Sequence, residues 1–292
     1  MAGSSRFRVL HRTEYQYENE MADGFTAAHL LPRWTPHQIV QSAELRIVPV
    51  PDERDTVFDQ LGNTLSLFAV HHPHRTLTVE AELVVDVALP HVPSESPPWE
   101  EVARAAAAAR GDDALELGAY LAHTPATPSA PELGVLTSEF TPGRPVLDAV
   151  RALCRRIFTE FRFDPAATDV STPLSDVLAQ RHGVCQDFAH VGVAALRAVG
   201  LPARYVSGYL ETLPPPGQPK LVGVDASHAW CAVWAGECGW VDFDPTNDQM
   251  PPQRHVTVAW GRDYDDVAPV RGVVIGPPGG QTLAVSVDVS QL

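Results

Sequence analysis

Three segments of this 292-residue chain carry side chains that could share one reaction. Cys185 lies in Gly183-Val184-Cys185-Gln186-Asp187-Phe188-Ala189. His228 lies in Ser227-His228-Ala229-Trp230, and Asp244 in Gly239-Trp240-Val241-Asp242-Phe243-Asp244-Pro245-Thr246. A thiol, a base able to take its proton and a carboxylate able to orient the base are the parts of a nucleophilic acyl-transfer site. Whether they can act together depends on the elements that hold them.

The first of those elements is a helix. From Gln186 to Val199, Phe188, Val191, Ala195, Leu196 and Val199 keep helical spacing, and Gly200 then Pro202 end the run. Cys185 therefore falls on the first turn, where free backbone N–H groups and the helix dipole favour negative charge. A thiol in that position beside a histidine ionises more readily than a free one. Its own N–H could also help to hold an oxyanion.

The second element is a hairpin. Ala229–Trp234 and Trp240–Asp244 read as strands joined by Ala235-Gly236-Glu237-Cys238-Gly239. Alternate residues of a strand share a face, so His228, Trp230, Ala232 and Trp234 form one set and Trp240, Asp242 and Asp244 another. Pairing Trp234 with Trp240 puts both sets on one face, with Trp230 opposite Asp244 and His228 one diagonal away. A slip of one residue would separate them. Parity alone does not choose between Asp242 and Asp244. Asp242 is further from the His228 end, whereas Pro245 leaves Asp244 at a strand terminus. Trp230, Trp234 and Trp240 would either line a substrate groove or form hairpin core.

Composition limits the partners. The 36 acidic residues outnumber the 21 basic ones, giving a formal charge of −15, which disfavours nucleic acid and anionic membrane surfaces. Lys220 is the only lysine, a bias that GC-rich codon usage explains and that avoidance of amine acceptors would also produce. The start, Met1-Ala-Gly-Ser-Ser-Arg-Phe-Arg, lacks the apolar core of a signal peptide, and no run of eighteen apolar residues is present. A cytoplasmic setting with free thiols is expected. Oligomeric state is not legible.

The length suits two modest domains. Residues 1–90 read as a β-rich domain, with Phe7, Val9, His11, Thr13, Tyr15 and Tyr17 alternating on one face and Leu77, Val79, Ala81, Leu83, Val85 and Val87 on another. Residues 91–143 read as a helical and proline-rich connector: helices at Trp99–Arg110 and Ala114–Leu121, then an extended linker over 124–145. Residues 144–292 read as the catalytic core with a C-terminal β extension. It opens on a helix striped by Leu147, Val150, Leu153, Cys154, Ile157, Phe158 and Phe161, followed by a short helix at Leu174–Gln180. Cys154 belongs to that stripe and reads as core. His11 reads as structural, and His71-His72-Pro73-His74 as a surface loop. His228, Cys231 and Cys238 are close enough in sequence to suggest zinc, but His228 and Cys231 point to opposite strand faces and no Cys-x₂-Cys spacing occurs. No metal and no cofactor are expected.

At these residues the chain resembles the transglutaminase-like superfamily, whose fold is shared with papain-type cysteine proteases. The resemblance is carried by Arg-His-Gly-Val-Cys-Gln-Asp-Phe-Ala-His over 181–190, Gly-Leu-Pro-Ala-Arg-Tyr-Val-Ser-Gly-Tyr over 200–209, Asp225-Ala-Ser-His-Ala-Trp230 and Gly-Trp-Val-Asp-Phe-Asp-Pro-Thr-Asn over 239–247. His255 with the segment 261–272 resembles the tail of a bacterial subgroup. Its amino-terminal β-domain is matched by His11-Arg-Thr-Glu-Tyr15, Leu31-Pro-Arg33, Gln38 and Asp59-Gln-Leu-Gly-Asn63. The resemblance implies an α+β fold, with a cysteine-bearing helix packed on an antiparallel sheet. It gives the triad roles to Cys185, His228 and Asp244, the Asp-Pro-Thr context favouring Asp244. It implies acyl transfer on a protein or peptide substrate, read here as protease- or amidase-like hydrolysis, with glutamine crosslinking or a non-catalytic binding module as the alternatives. Two departures stand out. No acidic cluster argues for a calcium site, and Gln186 follows the nucleophile where papain-type enzymes place a glutamine before it, so the second oxyanion donor is unassigned.

Overall fold

The computed structural model describes residues 4–212 and 227–292; the expected proline-rich loop with Pro219, Lys220 and Asp225 lies outside them. The amino-terminal strands are β1 (Ser4–Met21), β2 (Asp23–Ala28), β3 (Gln38–Val48), β4 (Glu53–Phe58), β5 (Thr64–Val70) and β6 (His74–Ala88). Then come α1 (Trp99–Ala108), α2 (Asp112–Leu121), α3 (Leu133–Leu136), α4 (Val146–Glu160), β7 (Arg162–Phe163), α5 (Leu174–Gln180), β8 (His182–Gly183) and α6 (Cys185–Ala198). The chain closes with β9 (Ala203–Leu210), β10 (Ser227–Trp234), β11 (Trp240–Phe243), β12 (His255–Gly261), β13 (Val270–Ile275) and β14 (Gln281–Gln291).

Strand alternation follows the apolar pattern. Phe7, Val9, His11 and Thr13 of β1 and Leu77, Val79, Ala81, Leu83 and Val85 of β6 are buried, because a pleated strand sends every second side chain to one face. β1 and β6 are central in a sheet of order β14-β1-β6-β3, and a second sheet has order β13-β2-β5-β4. The last two strands hydrogen-bond to the other end of the chain: β14 pairs with β1 and β13 with β2.

The sheet that carries the site has order β11-β10-β9-β12, antiparallel throughout. The hairpin register expected from parity is observed, with Trp234 opposite Trp240 and Ala232 opposite Asp242. α6 packs on one face of this sheet. The Cys231 thiol donates to the Ala189 carbonyl (3.3 Å) from that face, so by alternation Trp230 and Ala232 face the other way. There they wall a cavity of about 390 Å³ that also touches Gln38, Asp242 and Trp240.

One expectation needs correcting. Residues 124–145 are not wholly extended, since α3 and a following 3₁₀ turn bury Leu133, Leu136 and Phe140. A single helical turn fits between Pro131 and Pro142, and it brings two leucines three residues apart onto α6 and α4.

The amino-terminal strands hold the site sheet by two buried amides. Gln38 accepts the Thr257 N–H (2.9 Å) and donates to the Thr257 carbonyl (2.8 Å). Asn63 does the same at Trp260, at 2.9 Å each way. β12 is an edge strand, and these side chains satisfy backbone groups that would otherwise be orphaned.

Candidate active site

Cys185 is the first residue of α6 and is half-buried. Val184, just before it, has no side-chain acceptor for the helix's free N–H groups. Asp187 instead reaches back: its Oδ2 accepts the Val184 N–H (2.8 Å) and the Thr168 hydroxyl (2.6 Å). The reach requires Gly183, because a Cβ there would lie 2.5 Å from that same oxygen. The loop ahead of the helix is thereby closed down by one carboxylate, and the thiol is left at the helix mouth.

The other three thiols are set apart. Cys154 and Cys231 are buried, and burial pushes both thiols up; Cys154 donates to the Asp244 main-chain carbonyl (3.3 Å). Burial also pushes Cys238 up, and its sulfur faces the Glu95 carbonyl (3.8 Å). The zinc set weighed from sequence is not assembled, since Cys231 points into α6 and Cys238 sits in the turn. His11 is buried, bonded to Thr13 and edge-on to Tyr209, a structural histidine as expected. In the segment 71–74, His71 and His72 pair with Asp23 and Asp52 at the surface, whereas His74 is buried as the first residue of β6.

His228 lies near the start of β10, opposite Gly208 on β9. A Cβ on Gly208 would fall 2.1 Å from the Val256 carbonyl and 2.7 Å from the Trp230 ring, so glycine permits the close approach of β12. The imidazole Nε2 stands 2.8 Å from Asp244 Oδ2. Cys185 lies close enough to the ring to favour its charged form. Burial works against a charged ring, but the bonds to Asp244 and Cys185 and their charges outweigh it, and the His228 pKa is raised to about 10.

Asp244 follows β11 directly, and its side chain is wholly buried. Burial alone would raise its carboxyl pKa; the bonds from His228 and His255 reverse this and hold it well below the usual carboxylate range. Oδ1 accepts the backbone N–H groups of Thr246 (2.8 Å) and Asn247 (3.3 Å), and Oδ2 takes the Asn247 side-chain amide (2.7 Å). Asp242 is placed differently. It accepts the Trp230 indole N–H (2.9 Å) and faces the cavity behind the sheet, where burial pushes its carboxyl up. Trp230 is fully buried, while Trp240 is half-buried at that cavity.

Two further side chains meet the carboxylate. Asn247 reaches Oδ2 from the turn after Asp244. His255 Nε2 comes within 2.9 Å of the same oxygen from β12. Nothing in the local pattern signals His255, because it arrives on the opposite edge strand of the sheet. His228, Asp244 and His255 place their polar atoms within 4.8 Å of one another, a donor set that suits a divalent ion by type. Here both imidazole nitrogens stand at hydrogen-bond distance from Oδ2, the arrangement of two N–H groups donating to one oxygen.

Residues 136–245 match the Transglutaminase-like superfamily, and residues 7–86 match the Bacterial transglutaminase-like N-terminal region. An uncharacterized protein of Mycobacterium tuberculosis is 41% identical over 298 residues, covering 99% of this chain and 94% of its own length. One from Mycobacterium leprae is 33% identical, covering 98% and 99%. A protein-glutamine gamma-glutamyltransferase of Pseudomonas aeruginosa is 36% identical over 112 residues, 36% of this chain and 17% of its own. The fold is shared with a crystal structure from Cytophaga hutchinsonii, assigned provisionally as a cysteine protease, at a TM-score of 0.75 and 22% identity, covering 100% of this chain and 92% of that one.

Proposed function

This chain belongs to the transglutaminase-like superfamily, and from that premise we propose that it is a thiol acyl-transfer enzyme acting on peptide or carboxamide bonds. Cys185 is the nucleophile, His228 the general base and acid, and Asp244 the group that orients His228. The single observation that carries this reading is an imidazole bonded to a buried carboxylate at 2.8 Å, its charged form favoured also by the cysteine that starts a helix.

The chemistry follows from where the proton rests. Asp244 and Cys185 both favour the charged form of His228, so the imidazole is a ready acceptor for the thiol's proton. The thiolate attacks the carbonyl carbon, and the C–N bond breaks as the imidazolium gives its proton to the leaving nitrogen. A thioester remains. Water then attacks it, His228 takes the water's proton, and the C–S bond breaks to return the thiolate and release a carboxylic acid. General acid–base help of this kind contributes about 10²–10⁴ in rate.

Hydrolysis is the reading we favour. Crosslinking by a primary amine in place of water is the second, supported by the likeness of part of the chain to a named glutamyltransferase. The substrate is a protein or peptide. We place the enzyme in the cytoplasm, a reading supported by four free thiols; no helix among the described residues is long and apolar enough to cross a membrane.

Incubation of protein substrates with a labelled primary amine separates the outcomes. New chain termini without label support hydrolysis, and label on glutamine side chains supports transfer. Loss of either with Cys185→Ala is expected. A Cys185→Ala protein as active as the parent would overturn the assignment.

A further inference from the structure

Asp244 Oδ2 serves two imidazoles. His228 Nε2 approaches at 2.8 Å and His255 Nε2 at 2.9 Å, with the Asn247 amide at 2.7 Å. His255 is buried, and its Nδ1 lies 2.5 Å from the Gln253 carbonyl. A carbonyl and a carboxylate can only accept, so each ring nitrogen of His255 faces an acceptor. The two rings are 5.4 Å apart between centroids, and the indole of Trp230 packs against both, at 6.2 Å from His228 and 5.0 Å from His255. These contacts fix His255 in place rather than leaving it free to swing away.

We propose that His255 is a positioning residue that competes with His228 for Asp244, so limiting how firmly the carboxylate holds the proton on His228. The inference rests on the assignment of Cys185 and His228 as the reacting pair. A carboxylate with one imidazole partner spends its full hydrogen-bonding capacity and charge on that partner. A second donor on the same oxygen draws part of that away. His228 has to give its proton to a leaving nitrogen as well as take one, and a proton held too tightly is a poor acid. His255 sets that balance from outside the reacting atoms.

Other groups face this cluster and stay constant in the comparison below. The Cys185 thiol meets His228 from α6, and the Cys154 thiol meets the Asp244 carbonyl from α4. Asp242 on β11 feels the charge of His255, and also that of Arg204 from β9 and of His37. Arg254, next in sequence, pairs with Glu211 at 3.2 Å.

The test is the titration of His228 followed by imidazole ¹⁵N NMR in the full-length protein. His255→Phe keeps a ring and removes its hydrogen bond to Asp244, and His255→Gln keeps an amide donor without the ring. In His255→Phe the His228 midpoint should rise by about one pH unit, a roughly tenfold tighter hold on its proton, with a smaller rise in His255→Gln. If the Phe protein does not fold, the Gln protein reads the same effect. A midpoint unmoved in a folded variant would overturn the inference, because a purely structural histidine would loosen the site without shifting that midpoint. Failure of the underlying pair reads out separately. If Cys185→Ala leaves the His228 titration of the parent unchanged, the thiol is not its partner and both readings fall.

Discussion

Replacing Asp244 by asparagine keeps the side chain's size and removes its charge, which makes it the sharpest probe of what holds the proton on His228. The carboxylate receives five donors, three on Oδ2 and two on Oδ1. An amide must turn its NH₂ toward one of those sets and so meets N–H with N–H. Disrupting a buried, charge-assisted cluster in this way costs about 3–5 kcal/mol, a large share of the roughly 5–15 kcal/mol that keeps a domain folded. The effect on the site is steeper. With a pKa of about 10, His228 is almost wholly charged at pH 8. Without the carboxylate, burial pulls it down toward its ordinary value near 6.5, where the charged fraction at pH 8 is about 3%, a fall of about thirtyfold. Carboxymethylation of Cys185 by iodoacetate reads this directly, because the anionic reagent is drawn to the thiolate–imidazolium pair. The Asp244→Asn rate at pH 8 should fall at least about tenfold, measured on the Cys185 peptide in protein shown to be folded. A rate within about threefold of the parent would refute the reasoning.

Further outcomes follow from other parts of the structure. Asn63→Ala strands the N–H and C=O of Trp260 and should lower stability to urea by about 2–5 kcal/mol; a loss below about 1 kcal/mol would mean that the amide does not hold the edge strand. Gly183→Ala puts a Cβ 2.5 Å from Asp187 Oδ2 and must expel that carboxylate, costing about 1–2 kcal/mol of helix capping and slowing Cys185 alkylation. An unchanged melting temperature would contradict this. Burial lowers His11 and His190 from 6.5 to about 4, so the unfolded chain binds their protons first. Stability should therefore fall as pH drops from 6.5 toward 4, by about 2–3 kcal/mol for each by pH 4.5. His228 acts with the opposite sign: its contribution is complete below about 6.5 and is lost as pH rises through about 10. A flat stability profile between pH 6.5 and 4.5 would contradict the first statement.

The site was legible in the sequence where it depends on local pattern. The apolar spacing after Gln186 and the stop at Gly200 placed Cys185 on the first turn, and strand parity with a tight turn gave the pairing of Trp234 with Trp240 that brings Asp244 toward His228. What was not legible depends on contacts between distant elements. His255 meets Asp244 only because β12 joins the sheet on the far side of β9, and no spacing records that. Gln38 and Asn63 stood out in the amino-terminal motifs, but their work on the backbone of Thr257 and Trp260 needed the two parts of the chain side by side. Residues 281–291 alternate like a strand, and alternation does not say that the partner is β1. α3 leaves no readable signal because one turn of helix is shorter than the period needed to reveal it, and the prolines on either side of Leu133 and Leu136 mark the segment as extended.

The central claim is that Cys185 and His228 form an activated pair, and the most direct test is the rate at which iodoacetamide modifies Cys185 at pH 6. A free thiol with a pKa near 8.5 is only about 0.3% ionised there. Cys185 should react about ten- to a hundredfold faster than glutathione, and His228→Gln should bring it down to the glutathione rate. Equal rates for Cys185 and glutathione in the parent protein, or a fast reaction that survives loss of His228, would contradict the account.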